Sequence, residues 1–219
     1  MYKGQHLQDQ YLDEYFRAKE RGRFIDIGAH DGKTISNSWF FETQRSWDGI
    51  CVEPNALLFP KLQYNRKAIC HNVACFNHDG KAMFTQVIKS DKDFGHPMDM
   101  LSGLTDLTNQ RDRYRTDLSL QRLTDAELIE QGYLRQIEVD VVRLQRLIEP
   151  FGLYYDFCSI DTEGAELQVL QGIDFYRTNI ELFVIENNEG SKDVYDFLTN
   201  KGYHLIHSVA TDEFYSKKI

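Results

Sequence analysis

Phe24-Ile25-Asp26-Ile27-Gly28-Ala29-His30-Asp31-Gly32-Lys33-Thr34 is a short apolar run that carries an acid near its end and breaks at once into a glycine-punctuated turn. Phe24, Ile25 and Ile27 read as a buried parallel strand. Gly28 and Gly32 allow a tight turn and a close approach of the backbone to a bound molecule. From Lys33 through Ile35, Trp39 and Phe40 to about Gln44 the apolar spacing predicts a helix. Strand, glycine turn and helix start together make the nucleotide-binding corner of a doubly wound α/β fold.

The details of that turn narrow the ligand. A dinucleotide fingerprint needs Gly-x-Gly-x-x-Gly, and this turn offers Gly28-x-x-x-Gly32. Gly32-Lys33-Thr34 copies the tail of a phosphate loop, but the first glycine lies one residue too close. Asp26 would also repel a pyrophosphate. An acid at this strand end suits a ligand with an ammonium group, and S-adenosylmethionine (SAM) is one.

The second strand, Gly49-Ile50-Cys51-Val52-Glu53, again ends in an acid. Glu53 follows the turn by roughly 20 residues, the distance at which an acid accepts hydrogen bonds from ribose hydroxyls; its alternative is an acid favoured by a helix dipole. Lys67 to Ala74 reads as the third strand, with Asn72 and Val73 close to an adenine position, or with Asn72 capping a turn. Asp156-Phe157-Cys158-Ser159-Ile160-Asp161-Thr162-Glu163-Gly164-Ala165-Glu166 repeats the first design, and Ile180 to Asn187 adds a strand ending at Glu186. Asp26, Glu53, Asp161 and Glu186 thus all fall at the carboxyl ends of strands, where ligands sit in open α/β sheets. Helix capping alone does not account for four of them.

Elsewhere, His6 to Lys19 has helical spacing with Gln5, Asp9 and Gln10 as a polar group. Ala82 to Ile88 and Gln136 to Val142 read as strands, Leu144 to Ile148 and Asp193 to Thr199 as helices. Thr124 with Glu127 predicts a capped helix to Gln131. Tyr203 to His207 and Glu213 to Ser216 predict a closing antiparallel hairpin. Ser90 to Arg122 is polar and reads as an insertion or lid that selects the substrate.

The 219 residues, 42% of them hydrophobic, fit one domain over 1–219 with that insertion. A net charge of −9 argues against broad nucleic-acid binding, and Arg111, Arg113 and Arg115 read as a solvated loop. No apolar run is long enough for a membrane span, and the N-terminus lacks the apolar core of a signal peptide. Cys51, Cys70, Cys75 and Cys158 show no Cys-x-x-Cys spacing, which argues against structural zinc and favours a reducing, cytoplasmic setting.

At Phe24–Gly32, Cys51-Val52-Glu53-Pro54-Asn55, Asn72-Val73-Ala74 and Ile160–Glu166 the chain resembles FkbM-type SAM-dependent methyltransferases, over a stretch from about Gln5 to Glu186. The resemblance implies a class I, Rossmann-like fold and methylation of hydroxyl groups, often on sugars or glycosylated products. It places Asp26, Gly28 and Ala29 by the methionine part of SAM, with Gly32 allowing close approach. Glu53 would take the ribose hydroxyls, and Asn72 and Val73 would lie near adenine. Asp161, Glu163 and Glu166 would border the methyl group and acceptor, which makes Asp161 a cofactor neighbour too. Thr34 and Asn37 face the same turn and are further candidate cofactor contacts.

An alcohol acceptor has a very high pKa, so its methylation calls for a base or a metal. Asp161 is the first candidate base, with a helix-capping role as its alternative. His30 follows because it titrates near neutrality, and then His96. Asp161 with Glu163 or Glu186 is equally a candidate oxygen ligand set for Mg²⁺. The expected function is O-methylation of a sugar or glycan hydroxyl. Methylation of another small metabolite, a NAD-dependent oxidoreductase and a silent SAM-binding module are the competing readings.

Overall fold

Arg23–Ile27 (β1) is the central strand of the molecule, and its residues are buried because strands cover both its edges and helices both its faces. The computed structural model describes residues 1–88, 98–107 and 122–218. Strand β1 pairs in parallel with Asp48–Val52 (β2) on one side and with Tyr154–Ile160 (β8) on the other. Ile69–His71 (β3) lies outside β2, and Asn179–Glu186 (β9) outside β8. The hairpin of His204–Val209 (β10) and Asp212–Ser216 (β11) closes the far edge, with β11 antiparallel to β9. The order is β3-β2-β1-β8-β9-β11-β10, so the strand order reverses between β1 and β8. That switch point opens a crevice at the carboxyl ends of the strands. The expected α/β fold and its C-terminal hairpin are both present.

A second sheet, not foreseen as such, is built from Ala74–Phe76 (β4), Gly80–Val87 (β5), Gly103–Leu104 (β6) and Leu134–Arg143 (β7), in the order β4-β7-β5-β6. The expected third strand over 67–74 is therefore divided. Its first part is β3 of the main sheet, and Ala74 already belongs to the second. Asn72 stands at the crossing and donates to the Glu53 carbonyl at 2.8 Å.

The described helices are Gln8–Tyr15 (α1), Trp39–Gln44 (α2), Phe59–Asn65 (α3), Asp125–Glu130 (α4), Leu144–Ile148 (α5), Glu166–Gln171 (α6) and Lys192–Asn200 (α7). The helix expected from Lys33 begins only at Trp39. Asp31 captures the backbone amides of Lys33 and Thr34, and Ile35 has a positive φ, so local turn chemistry outcompetes the helix. Helix α1 also departs from simple amphipathicity. Its polar Gln8, Asp9 and Asp13 are buried, with Asp13 held by Nε and Nη2 of Arg45 at 2.8 Å each and by Tyr2 at 2.8 Å.

The capping box on α4 is formed as the sequence predicts: the Glu127 amide donates to Thr124 at 3.3 Å, and Glu127 receives the Thr124 amide at 2.7 Å. Thr124→Ala is expected to cost about 1 kcal/mol in urea unfolding.

The described part of the insertion, 98–107, forms a 3-10 turn over Met98–Leu101 and then β6, which pairs antiparallel with β5 at Phe84 and Thr85. His96, Arg111, Arg113 and Arg115 lie outside the described residues. Among the described residues no helix is long and apolar enough to cross a membrane. All four cysteines are free, with Cys51, Cys75 and Cys158 buried.

Candidate active site

A cleft of about 1220 Å³, counted out to its open mouth, lies at the switch point. Its walls are the ends of β1, β2, β8 and β9 and the turns that follow them, and residues 99–102 and Leu104 border it from the second sheet. Of the residues singled out from sequence, Asp26, Gly28, Ala29, His30, Thr34, Asn37, Glu53, Asp161, Glu163 and Glu186 all line it.

Four others, Gly32, Asn72, Val73 and Glu166, do not line it. Gly32 has a positive φ, and a Cβ there would meet Leu62 and Arg66, so its glycine serves packing against α3 and its end. Asn72 ties the end of β2 to the sheet crossing, and Val73 packs on the main core. The wall near them is made instead by Ala74 and Cys75, because the chain has turned into the second sheet at that point.

Asp26 is buried. Its Oδ2 accepts from Ser38 and, at 3.4 Å, from Ser36, and lies 3.7 Å from Arg66. Burial raises its pKa above the usual carboxylate range, while Arg66 and the two serines pull the other way. Glu53, also buried, accepts the His30 amide at 2.9 Å and the Asn55 amide at 2.7 Å. Desolvation pushes it up to about 7 against those bonds. His30 adopts a left-handed backbone and sets its Nε2 2.9 Å from Asp99. Burial opposes its charged form, but Asp99, Glu53 and Asp31 outweigh that and raise its pKa. With its ring engaged by Asp99, His30 is better placed to join residues 98–101 to the cofactor turn than to act as a free base.

At the other end of the cleft, oxygens of Asp161, Glu163 and Glu186 all lie within 4.8 Å of one another. Asp161 is exposed, but only into the cleft, where protein surrounds it. Desolvation and then the neighbouring Glu186 raise its pKa well above the usual range. Glu186 is raised to about 8 by desolvation and by Glu163. Two carboxyls this close cannot both ionise freely, so they titrate as a pair. Asp161 does not cap the next helix. Glu166 takes up the turn instead, accepting from the Thr162 amide and hydroxyl, each at 2.9 Å, and from the Gly164 amide at 3.1 Å. Glu166 therefore shapes the loop that carries Asp161 and Glu163.

Sequence reasoning missed Ser36, Ser38, Ser159, Arg66 and Asp99. Ser159 alternates with Asp161 beyond a strand of buried residues, a pattern that could have signalled a cleft-facing hydroxyl. It accepts from Asn37 at 3.1 Å. Arg66 carried no signal, because its contacts are all distant in sequence.

The residues present fit SAM. Asp26 and Glu53 on the cleft wall are acceptors of the kind an ammonium and a ribose need. The Oδ1 of Asn37 is buried on the cleft wall with no hydrogen-bond partner among the described residues, an acceptor left for a bound donor. Leu58, Phe84, Leu101 and Leu104 supply an apolar lining for a flat ring.

No curated protein sequence matches the chain significantly. Among solved structures it is similar to a precorrin-6y C5,15-methyltransferase from Geobacter metallireducens, at 10% identity over 94% of this chain and 84% of that one, TM-score 0.46. It is also similar to a human methyltransferase 10 domain containing protein, at 12% identity over 98% of this chain and 83% of that one, TM-score 0.42. The model of the methyltransferase FkbM domain matches residues 26–205. That match spans β1 to β10 and every cleft-lining acid discussed above, and it sets aside the oxidoreductase reading: the chain belongs to the FkbM family of SAM-dependent methyltransferases.

Proposed function

We propose that the chain is an O-methyltransferase that transfers the methyl group of SAM to a hydroxyl of a sugar or glycan. The observation that supports it most is the division of labour along one cleft. Asp26 and Glu53 are acids suited to cofactor groups, whereas Asp161, Glu163 and Glu186 converge at the other end, where an acceptor hydroxyl must lose a proton. SAM, when bound, supplies a methyl group already activated by its sulfonium charge.

The chain's own work is then to hold the acceptor oxygen in line and to take its proton. Asp161 is the proposed proton acceptor, with its basicity raised by desolvation inside the cleft and by Glu186. Glu163 orients the acceptor. A polyhydroxylated acceptor suits a wall made of carboxylates, which accept hydrogen bonds from hydroxyl groups. A second reading is favoured by the convergence of the three carboxylates. They form an all-oxygen set of the kind Mg²⁺ takes, and the ion would lower the pKa of a sugar diol. Residues 90–122 are proposed as a lid of a single domain, since the described 99–102 and 104 already border the cleft. The free thiols support a reducing, cytoplasmic setting.

Calorimetric titration with SAM, S-adenosylhomocysteine and NAD, with and without Mg²⁺, tests the cofactor. Turnover to S-adenosylhomocysteine with a panel of sugars tests the acceptor. Absence of SAM binding in every condition would end the reading.

Glu53→Ala is expected to weaken SAM at least about tenfold, the value of lost hydrogen bonds to a charged acceptor. The wild-type affinity should also depend on pH. Glu53 has a raised pKa of about 7, and it accepts from the ribose best when ionised. Affinity is therefore expected to fall as pH drops below about 7 and to level off above it, and Glu53→Gln should flatten that limb.

A further inference from the structure

Arg66 follows α3, and its side chain is fully buried behind the cleft without lining it. Its guanidinium touches three separate pieces of the chain, α2, the turn over residues 32–38 and β1. Nε donates to Glu42 at 3.0 Å. Nη1 donates to the Gly32 carbonyl at 3.2 Å and to Ser36 at 3.4 Å, and Nη2 to Ser38 at 2.9 Å. Nη1 also lies 3.7 Å from Asp26 Oδ2, and the guanidinium carbon sits 5.1 Å from the centre of the Phe24 ring. Residues 32–38 contain no regular helix or strand, yet they carry Thr34 and Asn37 on the cleft wall.

We infer that Arg66 is the positioning residue of the cofactor pocket, holding Asp26 as a carboxylate and fixing the Gly32–Ser38 turn. This rests on the SAM reading of the cleft. Its physical basis is the fork of the guanidinium. One planar, permanently charged group satisfies Glu42, a carbonyl and two hydroxyls at once, which the point charge of a lysine cannot do. Asp26 is buried in a place where a carboxylate is otherwise costly, and Arg66 supplies the positive charge facing it. The other titratable groups around Asp26 are Glu42 on α2, Cys51 on β2, Cys70 on β3 and Cys158 on β8. Without the guanidinium, Asp26 is expected to hold its proton to higher pH and, while protonated, to lose its attraction for an ammonium.

The test compares wild type, Arg66→Lys, and Arg66→Met paired with Glu42→Gln so that Glu42 is not stranded. SAM affinity is measured between pH 6.5 and 8.5. The paired variant is expected to bind roughly tenfold more weakly than wild type at pH 6.5, with the ratio closing as pH rises and Asp26 regains its charge. Arg66→Lys keeps the charge but loses the fork, so its ratio to wild type should exceed about threefold and stay level with pH. A ratio for the paired variant that does not change with pH would overturn the electrostatic role, and Arg66→Lys binding like wild type would overturn the scaffolding role.

The Asp26 carboxyl ¹³C resonance, titrated without SAM in all three proteins, is the second readout. Its midpoint should rise by about one unit or more in the paired variant and much less in Arg66→Lys. An unmoved midpoint would overturn the inference even if wild type binds no SAM, which would be a failure of the cofactor reading alone. Should the paired variant not fold, the affinity of Arg66→Lys still decides the scaffolding role and its Asp26 midpoint the electrostatic one: a midpoint at or above that expected for the paired variant would overturn it.

Discussion

Asp161→Asn is expected to lower kcat by about 10²–10⁴-fold, the usual worth of a positioned general base, while SAM affinity changes far less. Asparagine keeps the shape of the side chain and removes its ability to take a proton. The case for Asp161 rests on three features. It opens into the cleft at the end of β8, beside the Gly28 turn. It is free of the helix-capping duty that Glu166 performs. And it neighbours Glu186, which adds to desolvation in raising the Asp161 pKa.

The pH dependence follows from that pairing. A carboxyl with a raised pKa holds its proton to higher pH and becomes a base as pH rises past that value. In the absence of added metal, kcat should therefore rise with pH as the Asp161–Glu186 pair, of which Glu186 is raised to about 8, loses its protons. Asp161→Asn should remove that limb, and single-turnover rates across pH would show it. Full turnover in Asp161→Asn would eliminate Asp161 as base and as an essential ligand. If the loss appears only in the presence of Mg²⁺, the ligand role is the correct one.

How much of this was legible in the sequence depends on the range of the interactions involved. The strand–acid–turn units at Asp26, Glu53 and Asp161 were legible because each is a local pattern, an apolar run with a polar stop. Their meeting in one cleft followed from the carboxyl-end rule for open sheets. The capping box at Thr124 was legible for the same local reason. The late start of α2 was not, because Asp31, Ser36 and Ser38 read as ordinary polar residues until their hydroxyls and carboxylate are seen binding backbone and one another. An unbroken third strand would put Asn72 and Val73 at its carboxyl end, whereas the chain changes sheet there. Nothing local marks the point where the chain leaves one sheet for another. Asp99 and Arg66 act on residues far away in sequence, Asp99 on His30 and Arg66 on Asp26 and Ser38. Such contacts have no period and no spacing.

Gly28→Ala is the second large effect expected, and it is an effect on folding before it is one on binding. Gly28 has φ +81, and a Cβ built on it would lie 1.7 Å from the Asp161 carbonyl oxygen. That carbonyl cannot retreat easily. The Asp161 amide is held by the Ile27 carbonyl at 3.0 Å, and the amides of Gly28 and Ala29 are both held by Val52 at 3.0 Å. A side chain here must push apart the ends of β1, β2 and β8. Left-handed strain of about 1–3 kcal/mol and overpacking of about 1–3 kcal/mol together predict a loss of roughly 3 kcal/mol or more in urea unfolding.

Gly132→Ala separates the two contributions. Gly132 has φ +76 with nothing within 4 Å of its added Cβ, so it bears the strain without the clash. If Gly28→Ala costs no more than Gly132→Ala, the strand ends are looser than their hydrogen bonds imply. The glycine of this turn lines the cleft, and it also makes room for another segment of the same chain. Weak SAM binding in a Gly28 variant would consequently report a displaced Asp161 loop, and only a Glu53 or Asn37 variant that remains folded reports contact with the cofactor itself.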